Sequence, residues 1–377
     1  MAGLYIHIPF CKKACYYCDF HFVANLKNMN SVINSIITEI EQRSYEWKDF
    51  NFDTIYFGGG TPSVLRINDI ETIVNAIYKN YNIAPNPEFT FETNPDDLTL
   101  EYLKSLSNYT PINRLSIGIQ SFQDDILKFL NRRHDGKQAI ESIKNARLSG
   151  FENITIDLIY GIPGLGNENW KKNVMVPVEL ELPHLSSYHL SIEPKTVFGV
   201  MQKKHKLNPV NEECSIEQYN ILIETLNVAG FEHYEISNFA KNNQYSKHNS
   251  SYWKNIPYIG IGPSAHSYDG NSRRWNISNN TIYSQSKTNS NSSIFETEIL
   301  TQTDMFNDYI LTRLRTVWGA DLTEIRTAFG EEFVFHCENT LKKKGIQESI
   351  IRNGDSFKID EKNWLIADYI MREFLVV

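Results

Sequence analysis

The chain has 377 residues, 41% of them hydrophobic and 22% charged, with a net charge of -8. That length predicts one large domain plus a smaller one around a substantial core. An acidic balance spread without long runs excludes a dominant nucleic-acid footprint, and the absence of a long apolar run predicts no transmembrane segment. The N-terminus has only a brief apolar stretch without a basic flank, which predicts no signal peptide and a cytoplasmic protein with reduced thiols.

Leu4–Ile8 alternates as a strand and is stopped by Pro9. Three of the five cysteines follow at once, Cys11, Cys15 and Cys18, spaced C-x3-C-x2-C. Thiolates that close, in a chain otherwise poor in cysteine, point to a metal site on a loop leaving a strand. Zinc would need a fourth ligand, for which His7 or His21 is available. An iron–sulfur cubane normally takes four cysteines, so three leave one iron open to an external ligand.

From there strand and helix patterns alternate. Val32, Ile33, Ile36, Ile37 and Ile40 recur at helical spacing. Thr54–Phe57 is a second strand running into Gly58-Gly59-Gly60-Thr61-Pro62-Ser63, with Asn68 or Asp69 as a cap for the next helix. Further strands are predicted at Glu88–Thr93, Asn113–Gln120, Asn153–Tyr160 and Leu185–Leu190, with helices between them. Repeated βα units imply parallel strands with right-handed crossovers, and six of them fit a partial (β/α)6 barrel.

The strands are two-faced. Leu115, Ile117 and Ile119 oppose Ser116, Gly118 and Gln120; Ile154, Ile156 and Leu158 oppose Thr155 and Asp157; Phe89 and Phe91 oppose Thr90 and Glu92. Helices cover the apolar faces, so the polar faces line the barrel, which suits a polar ligand. Such ligands lie beyond the C-terminal strand ends, where the cysteines, the glycine loop, Glu92 and Gln120 converge. The glycine loop reads either as a tight turn or as a close backbone approach to a ligand. Glu92 and Asp157 need partners if buried, from Arg114 or Arg132 or from a ligand amine or ribose.

After the sixth strand the alternation fades. A helix near Ile216–Val228 is followed by Phe231–Phe239 and the polar stretch KNNQYSKHNSSYW, then by Tyr258–His266. Residues 270–293, rich in Asn and Ser, read as an exposed loop or linker. Three helical patterns, two short strands and a last helix form a small, mainly helical, winged-helix-like C-terminal unit. The predicted division is 1–235 for the barrel, 236–300 for a connecting region and 301–377 for the C-terminal domain.

C-x3-C-x2-C after the first strand with GGGTPS after the second resembles the radical S-adenosylmethionine superfamily. YIHIPFCKKACYYCDF, RLSIGIQSF, IDLIYGIPG and YIGIGPSAHS resemble its branch of oxygen-independent coproporphyrinogen III oxidases and haem chaperones. The resemblance implies a [4Fe–4S] cluster on Cys11, Cys15 and Cys18, with S-adenosylmethionine on its open iron. Tyr5 and Tyr17 would flank that cofactor, and Gly59, Gly60 and Thr61 would meet its amino-acid end. Glu92, Gln120, Arg132 and Asp157 match the remaining cofactor positions.

Within the branch, Phe20 stands where the oxidases have a further cysteine, and Tyr5 lies close to the terminus, where they have an extension. His248-Asn249-Ser250-Ser251-Tyr252-Trp253 matches the HNxxYW motif of the chaperones. That match implies His248 as an axial haem ligand, with Tyr252 and Trp253 offering flat apolar area. His266, in GPSAHS, is a secondary candidate near the barrel mouth. The implied function is a haem carrier, rather than an enzyme, that passes haem to an acceptor protein, of the respiratory chain for instance. The alternatives are radical decarboxylation of coproporphyrinogen III and a zinc-stabilised barrel without cofactor chemistry.

Overall fold

Strand Ala2–Ile8 (β1) occupies the centre of the sheet. Its Leu4, Ile6 and Ile8 are fully buried against helices, while Tyr5 and His7 face the other way. The computed structural model, which describes residues 1–285 and 295–376, continues through helix Met29–Arg43 (α1), Asn51–Gly59 (β2), Ile67–Asn80 (α2) and Asn82–Thr93 (β3). Next come Leu100–Tyr109 (α3), Arg114–Gln120 (β4), Asp124–Phe129 (α4), Gly136–Leu148 (α5), Asn153–Tyr160 (β5), Asn167–Glu179 (α6) and His184–His189 (β6). These six strands pair in sequence order and in parallel, giving the expected α/β partial barrel, which is not closed.

The predicted two-faced strands are seen in the register. Thr90, Arg114 and Asn153 stand side by side across β3, β4 and β5, and Glu92, Ser116, Thr155 and His184 do so one layer further on. The opposite faces carry Phe89, Phe91, Leu115, Ile117, Ile154 and Ile156, none with measurable exposure, under Ile36, Ile73, Leu103 and Ile143 of the helices. Burial of that face is the main favourable term, at about 25 cal/mol per Å² of apolar surface.

Helices Val197–Lys203 (α7) and Glu212–Val228 (α8) lead to strands Glu232–Glu235 (β7) and Asn238–Ala240 (β8). Strand β8 pairs antiparallel with β6, and β7 pairs antiparallel with β8 to form that edge of the sheet. Helix Lys247–Trp253 (α9) follows, then Tyr258–Ile261 (β9), which pairs in parallel with β1. His266–Tyr268 (β10), Ser272–Asn276 (β11), helix Asn280–Gln285 (α10) and Phe295–Ile299 (β12) complete a twelve-stranded sheet. The residues between β6 and position 300 thus extend the sheet at both edges.

Three local expectations are corrected. The polar stretch containing His248 is helix α9. Much of 270–285, expected as exposed loop, is β11 and α10, while residues 286–293 of that expected loop lie outside the described residues. Neither Asn68 nor Asp69 caps α2: Arg66 holds the cap position and its guanidinium grips both Asp69 oxygens at 2.8 Å.

The C-terminal unit runs Gln302–Arg313 (α11), Ala320–Asp321 (β13), Leu322–Phe329 (α12), Glu331–Leu341 (α13), Ile350–Asn353 (β14), Ser356–Ile359 (β15) and Ala367–Arg372 (α14). It has its own core around Phe306, Ile325, Phe357 and Trp364. Val317 donates its N–H to the Tyr234 carbonyl at 3.0 Å, and Trp364 meets His233 edge-on at 4.4 Å, so the unit is docked on β7. Among the described residues no helix is long and apolar enough to cross a membrane.

The sheet extension is tied to α1 by one buried carboxylate. Glu39 accepts hydrogen bonds from Arg43 (3.2 Å), Asn276 (2.7 Å), the Tyr283 hydroxyl (2.5 Å) and the Gly262 N–H (3.0 Å). Arg43 in turn reaches the Gly260 carbonyl at 2.7 Å. Removing the carboxylate orphans a buried cation and several donors, so Glu39→Ala is expected to cost about 3–5 kcal/mol. Urea unfolding checks this, and a loss within experimental error would show the network to be dispensable.

Candidate functional site

The cysteine loop hangs from β1 and β2. Beyond the ends of the strands the pairing continues: Gly60 N–H donates to the Ile8 carbonyl at 2.9 Å and Thr61 N–H to the Phe10 carbonyl at 2.8 Å. Cys11 and Val23 close the loop, with Cys11 N–H on the Val23 carbonyl and Val23 N–H on that of Pro9. A charged clamp holds its flank, where Lys12 reaches Asp97 at 2.6 Å and Arg133 reaches Asp96 at 2.6 Å.

The three thiols are close enough to feel one another's charge. Burial, first of all, pushes Cys11 up to about 12 and Cys18 up to about 11. They are therefore thiols until a metal displaces their protons. Thr61 Oγ1 donates to Cys11 Sγ, and the Arg132 guanidinium donates to Cys15 Sγ, both at 3.3 Å. Those donors suit thiolates that carry excess negative charge.

The zinc alternative would have to take its fourth ligand from His21 Nδ1, since both nitrogens of His7 are engaged. His7 Nε2 donates to the His21 carbonyl, Nδ1 of His7 accepts from the Tyr5 hydroxyl, and His21 Nε2 is bonded to Asn280. Among the described residues no three His, Cys, Asp or Glu side chains converge on a point that could hold one ion. A cubane makes a different demand, since it takes its cysteines at separate iron corners. Three thiols on one loop fit it with one corner open.

Next to the thiols is a cradle that side chains would fill. Gly59 has φ +107°, and a Cβ there would lie 2.7 Å from the His7 ring; at Gly60 it would lie 2.7 Å from the Phe10 carbonyl oxygen. Glu92 accepts from the Tyr56 hydroxyl at 2.7 Å and from Gly59 N–H at 3.2 Å, and burial raises its carboxyl to about 7. Burial also raises Asp157 to about 6, against hydrogen bonds from Ser186 and Ser116. Gln120 ends β4 at φ +69°. Arg132 donates to Asn94 at 2.6 Å, but its buried Nε has no partner among the described residues. Tyr17 lies beside Cys15 and Arg132, and Tyr5 stacks on Tyr56 at 6.0 Å.

The structure thus brings Cys11, Cys15, Cys18, Tyr17, Gly59, Gly60, Thr61, Glu92 and Arg132 around one mouth, with Asp157 and Gln120 on the neighbouring strands. Tyr56 and Asn94 belong to it and were missed in the sequence. Tyr56 was legible, two positions before Gly58 on the same strand face.

His248 is elsewhere. It sits at the N-terminal ends of the strands, 1% exposed, forming the barrel floor. Glu88 receives the Lys247 and His248 N–H groups at 3.0 and 2.9 Å, seating the first turn of α9. The imidazole is bonded through Nδ1 to Thr54 Oγ1 and through Nε2 to the Tyr252 hydroxyl, both at 2.8 Å, and it stacks on Tyr56. Burial lowers its pKa to about 3. Both ring nitrogens of His248 are thus engaged in hydrogen bonds within the barrel.

Fold and cysteine–glycine site together define a radical SAM protein, and residues 5–174 match the family model described as the radical SAM superfamily. The solved structure of coproporphyrinogen III oxidase (HemN) from Escherichia coli superposes with a TM-score of 0.84, over 99% of this chain and 89% of that one. At 21% identity it shows the fold alone. The heme chaperone HemW of Lactococcus lactis is 32% identical over 99% of this chain and 97% of its own length. HemW of Bacillus subtilis is 38% identical over 74% of this chain and 73% of its own length. The chain belongs to the HemW family of the radical SAM superfamily.

Two outcomes test the geometry. Gly60→Ala drives a methyl into the Phe10 backbone and displaces the cysteine loop, so reconstituted protein is expected to hold markedly less iron and sulfide per chain, measured by iron and acid-labile sulfide analysis. Glu92 binds its proton more tightly folded (about 7) than its ordinary 4.5. It therefore costs the fold stability as pH rises from about 4.5 to 7. Glu92→Gln is expected to remove that slope, so urea unfolding should show the variant gaining on the parent across this window; parallel curves would refute the assignment.

Proposed function

We propose that the protein is a haem chaperone, binding haem and passing it to an acceptor protein. The observation that carries this reading is the end-to-end relation to the Lactococcus lactis protein of that name, at 32% identity over 97% of its length. The site adds support: Phe20, two residues past Cys18, is an exposed apolar side chain and no cluster ligand. A respiratory-chain protein is one acceptor that would fit this role.

Cys11, Cys15 and Cys18 hold a [4Fe–4S] cluster in this proposal, and the Gly59–Gly60–Thr61 backbone with Glu92 receives the amino-acid end of S-adenosylmethionine. Together these groups supply one-electron chemistry when bound. The chain's own contribution is positional. Arg132 lays positive charge on Cys15 Sγ, and Thr61 bonds Cys11. Glu92, with a pKa near 7, can accept a hydrogen bond from a ligand ammonium as a carboxylate or stay neutral in its absence. Tyr17 walls the mouth, Tyr5 lies deeper in the barrel against Tyr56, and Asp157 and Gln120 lie on the neighbouring strands.

The second reading, oxidative decarboxylation of coproporphyrinogen III, is favoured by the shared fold with the Escherichia coli oxidase. Anaerobic reconstitution of the cluster, addition of S-adenosylmethionine, and parallel assays of haem binding and coproporphyrinogen decarboxylation separate the two. Saturable haem binding without turnover is expected. Decarboxylation at a catalytic rate would replace the chaperone with the oxidase.

A further inference from the structure

The barrel mouth carries a second histidine whose surroundings are the reverse of those of His248. His266 opens β10, is exposed, and neither nitrogen of its ring makes a hydrogen bond among the described residues. Burial of its inner edge and the nearby Arg273 hold its pKa below 6.5, so at neutral pH the ring is the uncharged form that ligates metals.

Its position follows from the sheet extension. Strand β9 is parallel to β1, with Tyr258 level with Gly3 and Gly260 with Tyr5, so Tyr258 shares the inward face. Tyr268 stands opposite Tyr258, Arg273 opposite Tyr268, and Trp275 opposite His266. Directly opposed residues of antiparallel strands share a face. The inner face therefore continues past β1 as a run of rings. Tyr252 meets Tyr258 at 4.6 Å, Tyr258 meets Tyr268 at 6.4 Å, and His266 lies nearly parallel to Trp275 at 6.2 Å and 26°. The preceding turn is pressed onto β1: a Cβ at Gly262 would lie 2.5 Å from the His7 carbonyl oxygen. That contact keeps the end of the run beside His7 and so beside the start of the cysteine loop.

A free imidazole with an indole stacked beside it, at the open end of an aromatic face, has what a haem needs. A ring nitrogen binds the iron, and flat apolar area takes the porphyrin. We propose that His266, rather than the buried His248, is the axial ligand to haem iron, with Trp275 lying against the porphyrin edge. The inference rests on the haem-carrying function proposed above.

Haemin titration of the full-length protein, followed in the Soret band, tests it. The parent is expected to saturate with the spectrum of an imidazole-ligated haem. His266→Ala is expected to bind at least about tenfold more weakly and to lose that spectrum, and free imidazole is expected to restore it. His248→Gln can still bridge Thr54 and Tyr252 and should keep the parent spectrum; Trp275→Leu should weaken binding while keeping the ligand signature. A parental spectrum and affinity in His266→Ala, a loss that imidazole does not restore, or loss of the signature in His248→Gln would each overturn the assignment while leaving haem carriage intact. No saturable binding by the parent would overturn haem carriage itself, and this inference with it.

Discussion

Two backbone hydrogen bonds that outrun the strands, Gly60 to Ile8 and Thr61 to Phe10, make the cysteine loop and the glycine cradle one object. The ladder between β1 and β2 does not stop where the strands stop. It carries on into the loop that presents Cys11, and Thr61 then bonds the Cys11 sulfur through its side chain. The spacing between the thiols and the Gly59–Glu92 contact is thereby fixed by strand register. A one-residue slip would turn Tyr5 and His7 into the helix layer and Leu4 and Ile6 into the barrel. The hydrophobic outer face forbids that slip, so the burial of Leu4, Ile6, Ile55 and Phe57 is what holds the chemistry in place.

The inner face is where stability is surrendered to function. Arg114 is 1% exposed, and its Nε and Nη2 have no partner among the described residues. Glu92 and Asp157 both sit with raised pKa values because burial disfavours their charge. His184 shows the satisfied alternative, bridging Thr155 at 2.6 Å and Tyr234 at 2.8 Å. A core built for stability alone would repeat the second pattern or use apolar residues. Among the inward groups, the buried Nε of Arg132, a residue that also bonds Cys15, lies at the cradle, where a polar ligand would complete it.

Much of this was legible in the sequence because it rests on period-two alternation. Leu115, Ile117 and Ile119 against Ser116, Gly118 and Gln120 gave a strand, a buried face and a ligand-facing face in seven residues. The same alternation contained Tyr56, overlooked beside the more conspicuous glycines. What was not legible is polar burial. Helix α9 turns His248 and Tyr252 inward, and hydropathy reads that face as solvated, since the hydrogen bonds that permit it come from Thr54 and Glu88 far away in the chain. Likewise Asn276, Asn280 and Tyr283 belong to an Asn- and Ser-rich segment that looks like loop until Glu39, on a helix more than 230 residues earlier, collects Asn276 and Tyr283.

The two ends of the barrel are therefore differently made, and the difference bears on how a carrier could work. At the floor, α9 is bonded through Glu88 and through both nitrogens of His248, and any ligand there must first undo several buried hydrogen bonds, each about 1 kcal/mol net with a larger penalty for groups left unpaired. At the mouth, the cysteine loop, Tyr17 and the His266–Trp275 pair are partly open, and a bound group can leave without disturbing the core. A protein that must hold its cargo and then give it up needs an affinity reached without a large conformational toll, because that toll lowers apparent affinity and slows exchange alike. The HNxxYW motif then acquires a structural reason for its composition: histidine and tyrosine close the floor through a Thr54–His248–Tyr252 chain, fix the depth of the barrel beneath Tyr5 and Tyr56, and start a row of rings through Tyr258 to Tyr268.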